Sequence, residues 1–327
     1  MTRDVNRNVT RDLTQPLNAP GAVQLEVAHE TAYRYAADVA LAHHLAYLRP
    51  AETPRQSVEA FDIAISPQPA SRSTSVDVFG NTRLFFSLDT PHARLSVRSR
   101  SRVRVAPSTI RFDPASSWPW EAVRGRLVYA AGAPYASESE FAFASPFVAI
   151  HRELAAYAAA SFIPGRAIAE AAIDLMSRIH REFRYESDST KVSTPILEAF
   201  AARRGVCQDF AHIMIGCLRA LGLAARYVSG YLLTVPAPGT VRLLGVDASH
   251  AWLSVHCPDS STGIWLDLDP TNDMIPSTSH VTLAIGRDFG DVSPLHGILR
   301  GGGEHTLSVG VTVRRVGGSS TTSVRPD

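Results

Sequence analysis

Three kinds of side chain in the second half of the chain suit acyl transfer through a thiol: a cysteine, a histidine and one of two aspartates. Cys207 stands two residues after Gly205, at the start of an apolar run predicted as a helix from about Val206 to Leu221. Free N–H groups and the positive end of the helix dipole at such a start favour the thiolate, the form of cysteine that attacks carbonyls. His250 lies in the strand-like string Ser249-His250-Ala251-Trp252, and the next such run carries Trp265, Asp267, Leu268, Asp269 and Pro270. Adjacent antiparallel strands would set the imidazole beside a carboxylate, so that the ring takes the thiol proton while the acid fixes its tautomer. Asp267 and Asp269 are two residues apart and share a strand face, so spacing leaves both open for the third role.

The neighbours carry lesser expectations. Gln208 either contacts substrate or packs the helix start, and Trp252 is expected to pack beside His250 and keep water off it. Asp209 and His212 are three apart on one helix and are expected to pair structurally. Cys217 and Cys257 read as packing residues. His43 and His44 are adjacent on a strand and point to opposite faces, which argues against a joint metal site. No CxxC or HxxxH pair and no DxDxDG-like calcium loop accompany these residues, so no metal and no cofactor are expected.

The elements that must position these groups divide the chain. Residues 1–21 are polar and aperiodic and read as a disordered leader. Residues 22–106 read as an N-terminal β-rich, sandwich-like domain, because Val23, Leu25 and Val27, then Phe61, Ile63 and Ile65, alternate with other residues at period two. Gly80-Asn81 reads as a hairpin turn. Arg94, Arg98, Arg100, Arg102 and Arg104 fall on one solvated strand face. Residues 107–145, with four prolines, read as an irregular connector. Residues 146–316 read as helices followed by an antiparallel sheet. A first helix is expected from the Ser145-Pro146 cap to about Phe162, a second over 166–183, and a third from Thr194-Pro195. Four strands are then expected, the last over His305–Arg315. Residues 317–327 read as a flexible tail.

Composition limits the partners. A net charge of +1, with 45% hydrophobic and 19% charged residues, gives no global field to steer nucleic acid or membrane. Lys191 is the only lysine, which reads as base-composition bias rather than phosphate binding. Three sparse cysteines are no disulfide framework and suggest a reducing, cytoplasmic compartment. No signal peptide and no apolar run of membrane-spanning length is legible.

The strings Arg204-Gly205-Val206-Cys207-Gln208-Asp209-Phe210-Ala211-His212, Ala225-Arg226-Tyr227-Val228-Ser229-Gly230-Tyr231, Asp247-Ala248-Ser249-His250-Ala251-Trp252 and Asp269-Pro270-Thr271-Asn272 resemble the bacterial transglutaminase-like family of the papain-like superfamily. His29-Glu30-Thr31, His43-His44-Leu45, Leu48-Arg49-Pro50 and Asp77 to Asn81 resemble the β-rich domain that precedes its core. The resemblance spans about residues 22–315. It implies an α+β chain, with a transglutaminase-like core of helices packed on an antiparallel sheet. It implies Cys207 as nucleophile, His250 as base then acid, and Asp269, placed directly before Pro-Thr-Asn, as orienter. The implied reaction is attack on a peptide, protein or amide carbonyl, with hydrolysis preferred. Transamidation of protein glutamine and an inactive binding or scaffold protein are the alternatives.

Overall fold

A single strand of 24 residues, β1 (Val23–Ala46), organises the N-terminal half. The chain is described by a computed structural model covering residues 21–107, 113–132, 135–187, 189–234, 249–258 and 263–316. The expected tail and all but the last residue of the expected leader lie outside the described residues. After β1 come β2 (Gln56–Ser66), β3 (Ser71–Val76), β4 (Thr82–Leu88) and β5 (His92–Val105). The sheet order is β2-β5-β1-β4-β3, all antiparallel. The β3–β4 hairpin turns at Gly80, which has φ of 87°, and Asp77 Oδ1 accepts the N–H groups of Phe79 and Asn81. On β5 the arginine face is exposed and paired across strands, Arg98 with Glu30, Arg102 with Glu26 and Arg104 with Glu59.

The connector is less irregular than its prolines suggest. It contains α1 (Trp120–Leu127), whose Arg124 and Arg126 stack over Trp120 and Trp118. Then follow α2 (Arg152–Ala159), α3 (Ile168–Glu182), β6 (Arg184–Tyr185), α4 (Ile196–Ala202), β7 (Arg204–Gly205) and α5 (Cys207–Ala220). The helix expected from Ser145 starts only at Arg152. Ser145 and Val148 instead close a turn, and the Phe147 N–H is taken by Asp288, so that segment docks elsewhere. Helix α5 is buried without interruption from Asp209 to Arg219, the pattern of a helix enclosed on all sides. Gly216 lets it close on its neighbours. A Cβ there would fall 2.7 Å from Leu154 of α2 and 2.9 Å from Ile196 of α4.

The second sheet contains β8 (Ala225–Leu232), β9 (Ser249–Pro258), β10 (Gly263–Leu268) and β11 (His280–Gly286), in the order β10-β9-β8-β11. Ala251, Leu253, Val255 and Cys257 face the helices, while Trp252 and Ser254 alternate to the other side. After α6 (Phe289–Val292) the chain leaves this sheet. Strands β12 (Leu295–Gly301) and β13 (His305–Arg315) pair with β1. The run over His305–Arg315, expected as the fourth strand of the second sheet, is therefore a strand of the first. That fourth place is taken by β11. Alternation shows that β13 has a buried face but not which strand it pairs with. The two sheets share a core in which Leu25, Val27, Val103, Val311 and Val313 meet Tyr231, Val281 and Leu283. No helix among the described residues is long and apolar enough to cross a membrane.

Candidate active site

Cys207 is the first residue of α5 and is half-buried. The helix start is held from within. Asp209 turns back to accept the Val206 N–H at 2.8 Å and the Thr190 hydroxyl at 2.6 Å. Gly205 makes this possible, since a Cβ there would lie 2.5 Å from the Asp209 carboxylate. Burial pushes that carboxyl up, and the bonds from Thr190 and Val206 oppose it. Asp209 and His212 do not pair as expected. His212 instead accepts the Phe289 N–H at 3.2 Å, because each side chain has a nearer orphan donor to satisfy.

His250 is the second residue of β9, opposite Gly230 of β8. Its Nε2 lies 2.8 Å from Asp269 Oδ2. Asn272 Nδ2 lies 3.3 Å from the same Nε2, and the Cys207 side chain is close enough to act on the ring's pKa. Burial alone pushes this imidazole down. The hydrogen bonds with Asp269 and Cys207, and then their charges, outweigh it and raise the pKa to about 9. His250 therefore holds its proton at neutral pH. Trp252, two residues on, is buried with its ring 6.0 Å from that of His250.

The two aspartates separate cleanly. Asp267 is still on β10 and is spent on Ser254, with Arg55 at 3.8 Å. Asp269 follows the end of β10, where the chain turns through Asp273 at φ of 49° and bridges back at Met274. This turn, not strand periodicity, aims Asp269 at His250. Its Oδ1 accepts the N–H groups of Thr271 and Asn272, and its Oδ2 accepts from Asn272 Nδ2 at 2.8 Å. Burial would raise this carboxyl, but the hydrogen bonds from His250 and His280 hold it well below the usual carboxylate range. Helix α3 braces the turn from outside through Ser177 to Asp273 and His180 to the Thr271 carbonyl. Gln208 is half-buried, with its Nε2 3.4 Å from the Val192 carbonyl, a long contact.

His280 was not foreseen. It opens β11, is buried, and sets its Nε2 3.2 Å from the same Oδ2 of Asp269. Its only local signal is a polar residue heading an apolar alternating run. The donor atoms of His250, Asp269 and His280 lie within 4.8 Å of one another, a span that a small cation could fit. The carboxylate already receives five donors, however, so the cluster reads as a hydrogen-bond hub rather than a metal site. A groove of about 1020 Å³ lined by Phe79, Phe141, Arg226 and Trp265 touches none of the three central side chains.

Comparison with known proteins agrees with this fold. Residues 25–104 match the bacterial transglutaminase-like N-terminal region, and residues 157–270 match the transglutaminase-like superfamily. An uncharacterized protein of Mycobacterium tuberculosis is 41% identical over 303 residues, 91% of this chain and 95% of that protein. One of Mycobacterium leprae is 31% identical over 299 residues, 90% of this chain and 99% of that protein. Among solved structures, a candidate cysteine protease from Cytophaga hutchinsonii superposes with a TM-score of 0.69 at 18% identity, over 91% of this chain and 92% of the other. At that identity the likeness is one of fold.

Proposed function

The chain belongs to the transglutaminase-like superfamily, and on that footing we propose that it cleaves peptide or carboxamide bonds through a thioester on Cys207. One observation carries the reading: His250 is bonded to the Asp269 carboxylate and lies close enough to Cys207 for the thiol to act on its pKa. The sulfur bonds to the carbonyl carbon. The N–H groups of Asp209 and Phe210 are already taken by the Val206 carbonyl, so those of Cys207 and Gln208 are the ones free to hold the oxyanion. The C–N bond then breaks as His250 gives its proton to the departing amine or ammonia. Water, losing a proton to His250, attacks the thioester, releases the acid and restores the thiolate. Hydrolysis is preferred over transfer to an amine because water is always present, which makes the protein a cysteine protease or amidase. The three free cysteines support a reducing, cytoplasmic setting.

A mass-shift screen tests this. Wild type and Cys207→Ala are incubated with peptide and amide libraries, with and without added amines. Hydrolysed products from the wild type alone are expected. Amine-linked products would instead mark a transamidase. No product under any condition, with an unreactive Cys207, would leave a binding or scaffold protein.

A further inference from the structure

We propose that His280 is a positioning residue: its Nε2–H shares Oδ2 of Asp269 with His250, and so sets how strongly that carboxylate grips the general base. The proposal rests on the acyl-transfer reading for its purpose but not for its test. Three side-chain donors converge on Oδ2, from His250 at 2.8 Å, Asn272 at 2.8 Å and His280 at 3.2 Å. A carboxylate oxygen has about two lone-pair directions, so a third donor competes with the other two.

The orientation of His280 is held on every side. Its Nδ1 lies 3.1 Å from the Ser279 hydroxyl, which can donate to it and leave the proton on Nε2. The Trp252 ring meets it edge-on at 5.2 Å and 84°. Its strand is pinned from the N-terminal sheet, where Gln56 binds both the N–H and the carbonyl of Thr282. The titratable groups facing His250 are Cys207 from α5, Asp269 beyond β10, and His280 of β11, whose ring lies 6.0 Å from that of His250 and which also acts through Asp269. Gly230 of β8, opposite His250, adds none. The chemical purpose is plain. An imidazolium held by an undivided carboxylate gives up its proton reluctantly, and a general acid works best with a pKa near the working pH.

NMR titration of ring-labelled histidines in the full chain tests the proposal without any substrate. In His280→Phe, which keeps a ring against Trp252 but has no N–H, the His250 midpoint should rise by about 1 pH unit. His280→Gln, which restores an N–H donor, should bring it back toward wild type. An unchanged or lowered midpoint in folded His280→Phe overturns the proposal. Should that variant not fold, the wild type decides through long-range ¹H–¹⁵N correlations. A His280 proton on Nε2 supports the proposal, and one on Nδ1 overturns it. A chain that hydrolyses no amide would remove the acyl-transfer reading while leaving these titrations interpretable.

Discussion

Cys207 differs from the other two cysteines in surroundings rather than in kind. Cys217 and Cys257 are fully buried, and burial pushes both thiols far up. Cys207 is half-buried at a helix start beside an imidazole that holds its proton. Iodoacetamide at neutral pH should therefore label Cys207 at least ~10-fold faster than either. Equal, slow labelling of all three by mass spectrometry would count against the site. Asp269→Asn removes the charge that helps keep His250 protonated. The His250 midpoint should fall from about 9 toward the ordinary imidazole range, and the alkaline limb of turnover should move down with it. Turnover should drop on the order of 10³-fold or more, as when the orienting acid of a triad is lost. An unmoved alkaline limb would mean that another group orients the ring.

At the scale of elements, the first sheet grips the edge of the second with two amide side chains. Strand β11 has a register shift between Thr282 and Ala284 that leaves backbone groups off the ladder. Gln56 takes Thr282, and Asn81 gives its Nδ2 to the Ile285 carbonyl and receives the Ile285 N–H on Oδ1. Gln56→Ala removes the side-chain partner of the part-buried Thr282 N–H, whose carbonyl keeps the Ala51 N–H, and Asn81→Ala removes the side-chain partners of Ile285, each at a cost of about 1–3 kcal/mol. Denaturant unfolding should show losses of that size. Because β11 carries His280, the losses should be accompanied by a shift in the His250 titration. A loss near zero would mean that water replaces both amides. The same contacts explain why the N-terminal unit matters to a site made wholly of residues from the other unit.

At the scale of the molecule, the first and last strands of the described residues are joined in one sheet. Strand β1 lies between β5 and β13 in its first half and between β4 and β12 in its second. A truncation after Pro294 should therefore unfold the N-terminal unit as well, seen as loss of β-sheet circular dichroism and protease resistance. Survival of a folded N-terminal unit would show that β12 and β13 are dispensable. Stability should also depend on pH. His29, His44 and His212 are buried, and burial lowers each to about 4. Unfolded, each binds its proton near 6.5, so their contribution is present above about 6.5 and lost as pH falls to about 4, up to ~3 kcal/mol each. His250 acts in the opposite sense. Raised to about 9, its contribution is complete below about 6.5 and lost as pH rises toward 9. Thermal midpoints should fall in both directions, and a flat midpoint between pH 4 and 6.5 would contradict the acid half.

The sequence by itself determined the local facts. Period-two runs marked most strands, the Gly205-Val206-Cys207 step marked the start of α5, and the Asp-Pro-Thr-Asn resemblance picked out the aspartate that bonds to His250. These are legible because burial of one face writes its period into neighbouring residues. What only the tertiary structure decided is non-local. Period two could not separate Asp267 from Asp269, because the turn after Leu268 aims one of them. It could not say that β13 crosses back to β1, because alternation records a buried face and not the strand that covers it. Nor could it place His280 on the Asp269 carboxylate, since that meeting depends on β8 lying between β9 and β11. Which groups come within hydrogen-bonding distance is settled by pairing across tens or hundreds of residues, and no local pattern carries that information.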